Sequence, residues 1–174
     1  GWDDKFCDSL LVPFSPTSPG GDGYVLRVLN PDGGSASVRH GNLNDTAYTL
    51  EADVYCEYRP DDASMGFERC GLFARDSGTA AFDLMSYGGG NAYVMAHDTH
   101  TGQLRAGKFV DGQFIDFIAA DPVFWHTSAW RRFRIECYGS FIRYAVDDQI
   151  IAAVRDTTHS RGFFGVGHRE YFSE

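Results

Sequence analysis

The segment Tyr48–Tyr58 constrains the fold more than any other. Leu50, Ala52, Val54 and Cys56 alternate there with Glu51, Asp53, Tyr55 and Glu57. Successive side chains of a strand point to opposite faces, so this pattern is a half-buried strand with one apolar and one polar side. Similar segments cover 23–30, 35–40, 67–75, 80–87, 92–97, 104–110, 113–118, 130–138, 141–146, 149–155 and 162–168. Turn chemistry separates them at Pro31-Asp32-Gly33-Gly34, Pro60-Asp61-Asp62, Gly88-Gly89-Gly90, Asp111-Gly112, Gly139-Ser140 and Asp147-Asp148. Asp111-Gly112 is the strongest short hairpin signal of the set. Pro13 through Gly21 reads as a loop, and no segment carries the apolar period of an amphipathic helix. Many short strands at close spacing predict an all-β chain of sandwich or jelly-roll type.

Composition agrees with one globular domain over residues 1–174. Hydrophobic residues are 43% and charged residues 22% of the chain, which is enough apolar surface for a full core. Aromatic residues reach 15%, alongside 20 Gly, a balance that favours strands and tight turns over helices. The net charge of −9 argues against nucleic acid, because phosphate binding needs an excess of Lys and Arg. No apolar run approaches the ~20 residues of a membrane-spanning helix.

Cys7, Cys56, Cys70 and Cys137 lie in apolar, strand-like contexts without a C-x-x-C pair or Cys/His ligand spacing. Zinc is disfavoured on that ground, and three complete disulfide pairings stay open beside buried free thiols.

A series of positions in the last third resembles the laminin-G-like branch of the concanavalin A-like lectin and glucanase superfamily. It begins with Trp130-Arg131-Arg132-Phe133-Arg134-Ile135-Glu136 and Gly139. It continues through Ile142–Asp148, Ile151–Asp156 and Gly162-Phe163-Phe164-Gly165-Val166-Gly167. Asp3-Asp4-Lys5-Phe6, Tyr48–Val54 and Gly71–Arg75 resemble earlier family positions. Asp148 stands where the family usually has Gly, which predicts a different turn type there. The resemblance implies a two-sheet antiparallel jelly-roll sandwich with Trp130 in its core. It also implies a face or rim that receives sugars.

Glucanases of this fold carry clustered carboxylates on one strand, and Glu51, Asp53 and Glu57 invite comparison. Two catalytic carboxyls must lie ~5–5.5 Å apart in a retaining enzyme. Residues 53 and 57 of a strand are roughly 13 Å apart, and 51 and 57 roughly 20 Å. The motif therefore reads as a solvated polar face rather than as a catalytic set. His97-Asp98-Thr99-His100 reads as a polar turn, and no Gly-x-Ser-x-Gly elbow or phosphate loop is present.

Sugar binding needs aromatic surfaces and a few directed polar groups. Arg75, Tyr87, Tyr93, Trp125 and His126 are the candidate ligand-binding residues. Asp3, Asp4 and Asp156 are the candidate ligands of a structural calcium that the resemblance allows, although scattered surface acids are the plainer reading. The expected role is a non-catalytic carbohydrate-binding module. Its partner would be a poly- or oligosaccharide, and its setting a larger secreted or cell-surface protein whose neighbouring domains it could also contact. A glycoside hydrolase or polysaccharide lyase of the same fold is the alternative. A structural or protein-interaction domain is the further one.

Overall fold

The computed structural model describes residues 3–5, 8–13, 19, 24–29, 34–60, 68–78 and 90–170. For 3–5, 8–13, 24–29, 34–36, 68, 169 and 170 it describes the backbone alone. The expected strand 80–87 and the Gly88-Gly89 part of its hairpin turn lie outside these residues.

The described residues contain no helix and form antiparallel sheets. The large sheet runs β1 (Asp3–Lys5), β4 (Gly34–His40), β14 (Phe163–Glu170), β6 (Glu68–Asp76), β7 (Ala92–Asp98), β8 (Gln103–Val110) and β10 (Val123–Phe124). A further strand, β9 (Gln113–Asp116), pairs with β8 across the Asp111-Gly112 turn. The small sheet runs β13 (Gln149–Arg155), β12 (Phe141–Val146), β11 (Ala129–Tyr138) and β5 (Ala47–Cys56). β2 (Asp8–Pro13) and β3 (Tyr24–Leu29) form a separate ribbon. β14 lies between β4 and β6, so the end of the chain closes the middle of the large sheet.

The core lies between the sheets. Leu72, Ala74, Tyr93, Met95, Leu104 and Ala106 of the large sheet face Leu50, Phe133, Ile135, Ile142, Tyr144 and Val146 of the small one. Tyr144 is fully buried, and its hydroxyl donates to the Gly107 carbonyl at 2.6 Å, joining the two sheets.

The polar side of β5 is a solvated face, as its spacing requires. β5 is an edge strand, and Glu51 and Asp53 meet Arg134 and Arg132 of β11 at 3.2 and 3.0 Å. Trp130 departs from expectation. Phe133, Ile135 and Cys137 point inward, so the alternation sends Trp130 to the outer face. There it is half-buried and packs edge-on against Tyr55 at 5.4 Å.

Asp148 also departs from expectation. Asp147 and Asp148 have φ of 48° and 64°, and Val146 pairs with Gln149. Two positive φ values across a two-residue loop make a type I′ turn, the same turn Asp-Gly forms. The aspartate adopts the conformation without changing the turn.

Candidate functional site

Because Leu72, Met95 and Leu104 point into the core, their chain neighbours define the outer face of the large sheet. Half of that face is apolar and buried: Phe73, Val94, Ala96, Phe109 and Phe114 pack together. Toward the other end the face turns polar. Arg69 and Asp98 are opposite each other, and Arg69 Nε donates to Asp98 Oδ2 at 3.0 Å. On the next strands Arg105 Nε donates to Asp116 Oδ2 at 2.7 Å, with its guanidinium 4.7 Å from the Phe114 ring.

Asp98 is fixed from several directions. Its Oδ1 accepts the Thr101 and His100 N–H groups at 2.9 and 3.2 Å, closing the turn read in the sequence as a plain polar loop. Burial by itself would raise its carboxyl. The Thr101 N–H and the Arg69 guanidinium outweigh burial and hold it below the usual carboxylate range.

An aromatic platform completes this end. Gln103 pairs with Phe124, and Val123 fills the core, so Phe124 lies on the outer face and is 48% exposed. The register of β7 and β8 puts Gln103 beside Asp98, leaving Phe124 two strands, or about 10 Å, from that carboxylate. The exposed His126 ring stacks near Phe124 (6.1 Å, 27° between planes) and meets Tyr58 at 5.2 Å. Tyr58 is held by its N–H donating to Ser128 Oγ at 3.0 Å. Exposed aromatic surface thus stands beside two preformed arginine–aspartate pairs.

Of the residues named from the sequence, His126 alone joins this platform. Trp125 lies behind it, stacked on buried His97 at 5.6 Å and 5.0 Å from the Arg131 guanidinium. Tyr87 is outside the described residues. Arg75 and Tyr93 lie at the far end of the strands and are 1% and 0% exposed, so neither offers surface to a ligand. A bulge explains Arg75: residues 74 and 75 oppose the single residue 164, and Arg75 has φ of 53°. The bulge turns its guanidinium inward onto the carbonyls of Gly139, His159 and Thr46 at 2.8, 2.9 and 2.6 Å. Tyr93 donates to Asp156 Oδ1 at 2.7 Å.

Asp156 does not fit a calcium site. Its carboxylate also accepts from the Thr158 N–H at 2.8 Å and pairs with the Lys108 ammonium, so a cation would have to displace a built-in lysine. Only the backbone of Asp3 and Asp4 is described, on β1 beside β4. Among the described residues no group of three or more His, Cys, Asp or Glu is arranged to hold a metal ion.

Arg69, Asp98, Arg105, Asp116 and Phe124 were not among the sequence candidates. Each charge has its partner on another strand, so no local motif marks it. The one available signal was parity: Arg69, Asp98, Arg105 and Phe124 alternate with inward-facing positions on their strands.

No protein-family model and no curated protein sequence matches the chain. Solved structures do. The chain is similar to a carbohydrate-binding module, CBM66, from Bacillus subtilis at 14% identity and a TM-score of 0.61, covering 99% of this chain and 92% of that one. A Bacillus subtilis protein of unknown function with a galectin-like fold gives 11% identity and a TM-score of 0.59, covering 97% and 82%. At these identities the likeness concerns fold. The chain has the two-sheet antiparallel jelly-roll fold.

Proposed function

We propose that this jelly roll is a non-catalytic carbohydrate-binding module that receives a poly- or oligosaccharide on the polar end of its large sheet. The observation that carries the reading is Phe124, exposed and backed by His126, beside the Arg69–Asp98 and Arg105–Asp116 pairs. The apolar face of a sugar ring stacks on Phe124. Its hydroxyls accept from the partly exposed guanidinium groups of Arg69 and Arg105, which the largely buried carboxylates of Asp98 and Asp116 hold in place. Each charged group is already held by its partner, so little rotamer freedom is lost on binding. The structural likeness to a carbohydrate-binding module supports this reading. So does the resemblance of the last third to the laminin-G-like branch. The natural setting is a larger secreted or surface protein acting on polysaccharide.

A hydrolase of the same fold would need a carboxyl kept protonated to act as general acid. Asp98 is pushed the opposite way and does not suit that role.

The test is a glycan array followed by titration calorimetry with the best ligand, beside a reducing-end assay on the same polysaccharide. Binding without release of reducing ends is expected. Phe124→Ala should weaken it by about tenfold while leaving the melting temperature unchanged. Reducing-end release that disappears in Asp98→Asn would overturn the module reading in favour of an enzyme.

A further inference from the structure

Behind the polar end of the large sheet, the core closes on sulfur and imidazole rather than hydrocarbon. Cys56 is the last residue of β5 in the small sheet, is 1% exposed, and points inward. Cys70, near the start of β6 in the large sheet, shares the parity of Leu72 and Ala74 and therefore also points inward. The two thiols face each other across the sandwich, and each is the largest influence on the other's ionisation. Cys70 Sγ also reaches the Tyr55 carbonyl at 3.9 Å. Cys70 is flanked in register by His97 on β7 and His168 on β14. His97 is 0% exposed, and neither ring nitrogen has a nitrogen or oxygen partner; the polar atom it faces is the Cys70 sulfur. Trp125 stacks over its other side.

We propose that Cys56 and Cys70 form a reversible disulfide that staples the small sheet to the large sheet and closes the β5–β6 connection. The placement supports this pair over the others. Cys137 is buried farther along β11, where burial raises its thiol to about 12 and no described cysteine interacts with it. As a residue Cys70 is less buried than Cys56. Its partnership with Cys56, and then the fields of His97 and His168, outweigh burial and favour its thiolate, the attacking species in thiol–disulfide exchange.

With a small-molecule disulfide such as oxidised glutathione as oxidant, the electrons balance in two displacements. The Cys70 thiolate attacks one glutathione sulfur, breaks the S–S bond and expels one glutathione thiolate. Cys56 then gives its proton to the glutathione thiolate released first, and its sulfur attacks Cys70, expelling the second glutathione thiolate. Two protein thiols are oxidised while one small disulfide is reduced to two thiols.

Trypsin separates the two cysteines, because Arg69 and Arg75 set Cys70 on its own peptide. The full chain is equilibrated with oxidised glutathione, alkylated, digested without reductant and mapped by mass spectrometry. A Cys56-containing peptide joined to Cys70–Arg75 is expected, lighter than the two reduced peptides by two hydrogens. The oxidised chain should melt about 5–10 °C above the reduced one, as closing a short loop predicts. Dithiothreitol should reverse the shift. Cys70→Ser should abolish both signals, with circular dichroism reporting its fold, while the wild-type peptide map stands independently of that variant. Full alkylation of Cys56 and Cys70 after oxidation would overturn the proposal. So would linkage of either to Cys7, or a stoichiometric zinc that keeps both as thiolates.

Discussion

His159 has its Nε2 2.6 Å from the Phe109 carbonyl, its ring against Tyr93 at 5.2 Å, and 8% of its surface exposed. Burial lowers its pKa, and the Phe109 carbonyl opposes that only in part. The unfolded chain therefore takes up the proton first as pH falls from about 6.5. The stability carried by neutral His159 is complete above that value and is lost as pH drops through the lower folded pKa. His159→Gln should flatten this part of the profile: the wild type loses more stability than the variant between pH 7 and 5, measured by urea midpoints. Local sequence discloses nothing of this, because the burial and the Phe109 carbonyl that act on His159 come from other strands. Arg75 was equally opaque. Its position at a strand end was legible, but only the bulge against β14 turns it from a surface cation into a buried clamp on three carbonyls.

Among the elements, the hairpin β12–β13 offers the sharpest contrast between the chemistry of a residue and the geometry demanded of it. Asp147 contributes to its turn directly: Oδ1 accepts the Arg132 N–H at 2.9 Å, and Oδ2 meets Arg131 at 3.0 Å. Asp148 occupies φ of 64° and offers one ion pair to Arg134 from a side chain that is 73% exposed. An exposed pair contributes little, whereas a left-handed conformation strains any residue with a Cβ. Asp148→Gly should therefore raise stability by about 0.5–1 kcal/mol, read as a higher denaturant midpoint with an unchanged slope. The strands themselves were largely legible. β12 spans the predicted residues, and β5, β11 and β14 match within one or two at each end. Two-residue β10 was not, since Val123–Phe124 is too short to show a period and exists only by pairing with β8. That omission hid Phe124, the residue on which the proposed site depends.

Across the whole molecule, the two sheets are joined by apolar burial and by a few polar contacts that cross the core. The Tyr144 hydroxyl to Gly107 carbonyl is one such contact, in a place where water cannot replace it. Tyr144→Phe should cost about 1–2 kcal/mol by removing that buried cross-sheet hydrogen bond, with unfolding still a single transition in urea. A larger loss, or two transitions, would show that the sheets do not unfold as one unit. The sequence alone determined that this chain is all-β and where most strands begin and end. Those properties are local, since alternation, turn chemistry and rise per residue act within a few positions of one another. The tertiary structure decided which strands neighbour one another, and hence everything that requires two of them. It set Arg69 against Asp98, put Phe124 on their face, turned Trp130 outward and Arg75 inward, and brought Cys56 to Cys70. A side chain's partner across a sheet or a sandwich is set by register and packing between segments far apart in sequence. No local pattern encodes that.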